Sequence, residues 1–163
     1  MSTDSPVEGA FARLVESYAA PIRRLCAAYA ADRADREDLF QDIGLAIWRA
    51  LPAFRGDASE RTWLYRIAHN VALTWQTRSR RRRSRETALD HDVGTSDPTG
   101  PRQLALHQAL ASLSPGDRTI TLLWLEGLTA GEIENVTGVK AATVAVRLSR
   151  IRKELATREV KHA

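Results

Sequence analysis

Apolar positions return every three or four residues from Phe11 through Leu14, Val15, Tyr18, Ile22, Leu25, Cys26 and Tyr29. That is the spacing of one helical face, with Pro21 placed to kink or divide the helix. In the next run, DREDLFQDIGLAIWRAL, Leu39, Phe40, Ile43 and Ile47 share a stripe, and Pro52 closes the element. After the loop FRGDAS (54–59), Ser59 is positioned to cap a third helix whose buried side is marked by Leu64, Ile67, Val71 and Trp75. From 86 to 102 the composition turns to Asp, Gly, Thr, Ser and Pro with almost no apolar spacing, the signature of a flexible linker. Beyond it the apolar positions fall in four groups: Leu106, Leu110 and Leu113; Ile120, Leu123 and Leu125; Ile133 and Val136; Val144, Leu148, Ile151 and Leu155. They predict about four more helices. No strand-like alternation and no internal repeat occurs. The pattern predicts an all-α chain of two small helical domains, 1–85 and 103–163, joined by the linker 86–102.

Charge changes this picture at the end of the third helix. Residues 78–85 read RSRRRRSR, six arginines in eight positions, and a second basic run, RLSRIRK, spans 147–153. A net charge of only +4 conceals this segregation. Two separate basic sites suit an extended polyanion. The single Cys26 excludes an internal disulfide and is expected in the core. No stretch approaches the roughly 20 apolar residues of a membrane span, and the N-terminus lacks the pattern of a signal peptide, so no membrane insertion and a cytoplasmic location are expected. Histidines 69, 91, 107 and 162 lack metal spacing, DHDVG lacks the rest of a calcium loop, and no phosphate-binding glycine loop or nucleophile motif occurs. The sequence predicts no catalytic residue, metal or cofactor.

In LTAGEIENVTGVKAATVAVRLSRIRKEL, Thr129 and Glu132 have capping-box spacing, and Gly138 can end the short helix that follows. Two helices joined by a glycine-containing turn are the arrangement that lays a second helix in the DNA major groove, and also that of an ordinary helical hairpin. The outward face separates the two readings. Burying Val144, Leu148, Ile151 and Leu155 points Ala142, Val146, Ser149, Arg150 and Lys153 away from the core, flanked by Thr143 and Arg147. Small residues near the helix start allow close approach to base edges. Arg150 can read guanine or hold a phosphate, and Arg147 is better placed for phosphate.

These residues carry a family resemblance. DLFQDIGLAIWRALPAFRGDASERTWLYRIAHNVAL resembles region 2 of bacterial extracytoplasmic-function (ECF) sigma factors of the sigma-70 family, and LASLSPGDRTITLLWLEGLTAGEIENVTGVKAATVAVRLSRIRKEL resembles their region 4. The resemblance implies a non-catalytic, dissociable subunit that binds core RNA polymerase, recognises the −10 and −35 elements of promoter DNA and helps open it; an anti-sigma factor is a further implied partner. By that resemblance Asp38, Gln41, Asp42, Leu45, Trp48 and Arg49 meet the polymerase. The residues themselves agree, because an exposed Trp and Leu among polar groups is an interface composition, although Trp48 could also pack under the first helix.

The loop FRGDAS and the third helix resemble the family's −10 reader. Strand opening needs a pocket for an unstacked base and a cationic groove. Phe54, Asp57, Ser59, Arg61, Tyr65, His69 and Asn70 are the candidates, with Phe54 also readable as core and Arg61, Tyr65, His69 and Gln76 expected on the outward side. Arg80, Arg81, Arg82 and Arg83 then continue the helix or its exit and neutralise phosphates beside the melted segment, or else form a solvated tail. This chain departs from the family's pattern in three places. Gly44 replaces a large apolar residue and weakens the second helix by about 1 kcal/mol against alanine. Lys140 replaces the serine-like cap of the recognition helix. Ala145 and Val146 replace polar or basic residues, so the −35 preference is not carried over. The rival reading is a free-standing helix-turn-helix regulator, which leaves the DNA-facing region before the linker unexplained.

Overall fold

The computed structural model describes residues 6–30, 32–85, 105 and 108–162, with side chains as far as 157. The expected linker 86–102 and Leu106 lie outside the described residues. The chain divides into two compact units, Met1–Ser96 and Asp97–Ala163, and the described residues of both are helical, with no strand among them.

The first unit contains α1 (Pro6–Tyr29), α2 (Arg33–Ala50), a 3₁₀ turn Leu51–Ala53 and α3 (Glu60–Arg85). Pro21 does not divide α1: Leu14 before it and Ile22, Leu25 and Cys26 after it are all buried. Packing on both sides of the proline offsets the roughly 3 kcal/mol that it costs a helix interior. Helix α2 starts where the Asp32 carboxylate accepts from the Asp35 N–H at 2.8 Å, and it buries Leu39, Ile43 and Ile47. Pro52 then tightens the chain into the 3₁₀ turn. The loop that follows needs Gly56, whose φ of 81° is left-handed. Ser59 caps α3, its Oγ accepting from the Thr62 N–H at 3.1 Å.

The buried side of α3 differs from the expected one. Leu64 is fully buried, but Ile67, Val71 and Trp75 are only half-buried, and the closed face runs through Tyr65, Ala68, His69 and Ala72. The core face is turned by roughly a quarter of the helix circumference toward the alanines. Small side chains at Ala68 and Ala72 let neighbouring helices approach closely, and that approach carries the flanking Tyr65 and His69 inside. Beside Gly44 a small apolar hollow remains, lined by Phe11, Leu14, Phe40 and Ile47. A Cβ at Gly44 would meet nothing within 4 Å.

The second unit has helical residues at 108–111, then α4 (Pro115–Leu125), α5 (Ala130–Thr137) and α6 (Ala141–His162). Arg118 reaches back and donates to the carbonyls of Leu110, Ala111 and Leu113 at 2.9, 3.1 and 3.3 Å, which closes the preceding helical turn. Ile120, Leu123, Leu128, Ile133, Val144 and Ile151 form the core. Leu125, expected among the apolar positions, is exposed at the end of α4, and Leu128 is buried beyond the turn. Leu155 is half-buried.

Candidate nucleic-acid interface

The helix-turn-helix is built from local capping. At Thr129 both halves of the capping box are made: Thr129 Oγ1 accepts from the Glu132 N–H at 3.2 Å, and Glu132 Oε2 accepts from the Thr129 N–H at 2.8 Å. Gly138 ends α5 at φ 77°, its N–H bonded to the Glu134 carbonyl at 2.8 Å. Lys140 cannot cap α6 as a serine would. Glu134 supplies the cap instead, its Oε2 accepting from the Ala141 N–H at 2.8 Å and its Oε1 from Lys140 Nζ at 3.1 Å. The Ala141 N–H first, and then the Lys140 ammonium, hold the Glu134 carboxyl below its ordinary pKa. A carboxylate at a helix N-terminus also meets the positive end of the helix dipole.

On α6, Val144, Leu148 and Ile151 are buried, while Ala142, Thr143, Val146, Ser149, Arg150 and Lys153 are exposed on one contiguous surface. Val146 is 70% exposed near its centre. Arg147 lies differently from its flanking neighbours: it is half-buried, and its Nε donates to Asp117 Oδ1 at 2.7 Å.

In the first unit, Asp38, Gln41, Asp42, Leu45, Trp48 and Arg49 are all exposed on α2, opposite the buried Leu39, Ile43 and Ile47. Leu45 is 47% and Trp48 37% exposed. Trp48 also meets Phe11 in a T-shaped contact, with ring centroids 5.1 Å apart at 85°, so the indole touches α1 while it stays partly exposed.

The third-helix candidates separate into three groups. Phe54 is half-buried against Trp63, ring centroids 4.7 Å apart, beside the exposed Asp57 and the capping Ser59. Arg61 is half-buried, and Asn70 is exposed. Tyr65 and His69 are not on the outward side: they are 2% and 7% exposed, and Gln76 is half-buried. Tyr29 Oη and His69 Nδ1 are hydrogen-bonded at 2.9 Å, which gives that ring nitrogen a partner inside the bundle. Burial lowers the His69 pKa, favouring the neutral ring.

The arginine run is helical to Arg85, and Arg80, Arg81, Arg82 and Arg83 are exposed. It does not adjoin the loop 54–59. Twenty helical residues at 1.5 Å rise put about 30 Å between Arg61 and Arg81. Arg82 donates to Asp35 Oδ1 at 3.2 Å, and Arg83 lies 3.8 Å from Asp35 Oδ2. Asp35 and Asp117, two buried acids that hold arginines expected to meet DNA, were not singled out by sequence pattern, and neither were Trp63 and Glu134. Asp35 and Asp117 do sit in the first turns of their helices, where acids are favoured. Their partners, 47 and 30 residues away, leave no local signal. Among the described residues no group of three metal-ligating side chains occurs, and no helix is long and apolar enough to cross a membrane.

Comparison with known proteins matches the two units to two families in order. Sigma-70 region 2 matches residues 14–83, and Sigma-70, region 4 matches residues 103–155. An ECF RNA polymerase sigma-E factor of Haemophilus influenzae is 32% identical over 160 residues, covering 88% of this chain and 84% of that protein. The ECF RNA polymerase sigma factor SigG of Mycobacterium tuberculosis is 31% identical over 185 residues, covering 91% of this chain; the chain spans only 48% of SigG. Among solved structures, the sigma factor RpoE of Bartonella quintana, in complex with the anti-sigma factor NepR, has a TM-score of 0.78 at 19% identity, covering 90% of this chain and 94% of that one. CnrH, in complex with the cytosolic domain of CnrY, has a TM-score of 0.69 at 22% identity, covering 96% and 91%. Those two likenesses are of fold. Together with the ordered region matches and the 32% identical relative, they place the architecture, and the chain belongs to the extracytoplasmic-function sigma factors of the sigma-70 family.

Proposed function

We propose that the chain is a non-catalytic initiation subunit of RNA polymerase that works in the cytoplasm. It binds core polymerase through the exposed face of α2, contacts the −10 element with the loop 54–59 and α3, and reads the −35 element with α6. The observation that carries this reading is the α2 face. Leu45 and Trp48 stand exposed among Asp38, Gln41, Asp42 and Arg49, apolar anchors within a polar rim. A free-standing regulator has no use for that surface.

In the −10 contact we assign base and phosphate roles to Phe54, Asp57, Ser59, Arg61 and Asn70, and phosphate contacts without sequence reading to Arg80 and Arg81. Tyr65 and His69 serve as packing groups beneath that surface, since their burial keeps them from an incoming base. Promoter DNA and core polymerase are the partners. An anti-sigma factor is a third, supported by the likeness to a sigma factor solved with one.

Pull-down of purified core polymerase by the full chain, followed by run-off transcription on genomic DNA, tests the proposal. Wild type should bind core and start transcripts at defined sites. Leu45→Ala combined with Trp48→Ala should weaken core binding at least ten-fold, the scale of losing one interface hot spot, while the helical circular dichroism is kept. Normal core binding by the double variant removes the α2 assignment.

A further inference from the structure

One carboxylate on α4 holds two guanidiniums of α6. Asp117 lies in the first turn of α4, with its side chain 10% exposed. Its Oδ1 accepts from Arg147 Nε at 2.7 Å, and its Oδ2 accepts from Arg150 Nη2 at 2.7 Å. Its backbone N–H donates to Ser114 Oγ at 3.2 Å, so the cap of α4 fixes the residue that holds α6. Burial pushes the Asp117 pKa up, but the bonds from Arg147 and Ser114 and the charges of Arg147 and Arg150 outweigh it, and the carboxyl ends below its ordinary range. It is therefore ionised at neutral pH.

The two arginines are held unequally. The Arg147 side chain is 28% exposed and that of Arg150 62%. Arg147 is engaged through Nε, and its Nη2 lies over Gly116, where an added Cβ would come within 3.1 Å of it. The glycine leaves the space that the guanidinium occupies. Among the described residues Arg150 is engaged through Nη2 alone, which leaves the other edge of its guanidinium exposed beside Val146 and Ser149 on the same surface. A guanidinium already held in one plane loses less rotamer freedom when it pairs with a base than one that moves freely.

We propose that Asp117 is a positioning residue for −35 recognition: it presents Arg150 to a base edge and withdraws Arg147 from phosphate contact. Part of the base preference is then set on α4, outside the recognition helix. Guanine is the base that Arg150 reads, since its O6 and N7 accept a planar fork of donors. The inference rests on the reading of α6 as a promoter-reading helix.

The test uses the full chain assembled with core RNA polymerase and a pool of promoter duplexes randomised across the −35 segment. Wild type should enrich a motif containing at least one G·C pair. In Asp117→Asn, discrimination at that pair should fall about ten-fold, the scale of a bidentate arginine–guanine contact. The slope of log affinity against log salt should steepen by roughly 0.9 as Arg147 becomes free for phosphate. Arg150→Lys keeps the charge at an exposed position and should relax the same pair. If Asp117→Asn does not fold, Arg150→Lys decides, and retention of the full wild-type motif by it overturns the proposal. A wild-type motif that Asp117→Asn reads with equal discrimination and unchanged slope overturns the role of Asp117 and leaves promoter reading intact. A wild-type holoenzyme that enriches no sequence removes both.

Discussion

Helix α3 buries Thr62, Leu64, Tyr65, Ala68, His69, Ala72 and Ser79, which at 100° per residue cover an arc of about 160°, whereas α6 buries Val144, Leu148 and Ile151 within about 60°. The narrow seam leaves most of α6 free to present side chains to a ligand. The wide one draws polar-tipped residues into the bundle, where Tyr29 is hydrogen-bonded to His69. A helix clamped between neighbours offers DNA mainly its ends and the loop before it. A helix held by one seam offers its length.

The comparison breaks most readily at Tyr65. If it belongs to the core, Tyr65→Ala should cost about 3 kcal/mol in urea unfolding, while Val146→Ala on the open face should stay within about 0.5 kcal/mol. Equal costs for the two would mean that α3 is no more enclosed than α6.

Acid should separate the units by a smaller margin. The folded-state pKa of His69 lies below its ordinary 6.5, so the unfolded chain takes up that proton first, and the stability contributed is lost as pH falls below about 6.5. Asp117 is depressed below 3.8, so its contribution persists until pH falls through that lower range. Between pH 7 and 5, hydrogen exchange corrected for intrinsic rate should show α3 amides losing protection while α6 amides keep theirs. Parallel loss in both helices would remove His69 as the source, and His69→Gln should flatten the α3 response.

Gly44 gives the smallest effect. An added Cβ meets nothing within 4 Å, so Gly44→Ala should stabilise the chain by about 0.5–1 kcal/mol through helix propensity alone. A loss of stability would show that the hollow beside α1 closes in solution.

Much of the second unit was legible because its signals are local. Thr129, Glu132 and Gly138 act within one or two turns, and Val144, Leu148 and Ile151 repeat at one spacing. In α3 the large apolar residues misplaced the core face, since close helix approach follows Ala68 and Ala72, which periodicity weighs least. Arginine clusters declare their charge but not their partners. Asp35 and Asp117 meet their arginines only after the chain has folded back, so helical register separates Arg147 from Arg150 by face but not by partner. The exposed face of α2 was legible for the opposite reason, since Leu45 and Trp48 break an otherwise polar stripe.

The cap that Glu134 places on Ala141 bears on how such proteins can be recombined. A graft that exchanges only the recognition helix keeps Glu134, whose carboxylate accepts from the first N–H of any incoming helix that does not start with proline. Where the incoming segment brings its own serine at position 140, Glu134 loses the Lys140 ammonium but keeps that first N–H, since an N-cap hydroxyl accepts from the second or third helical N–H. Moved the other way, α6 of this chain keeps its cap only when the transplanted segment starts at or before Glu134.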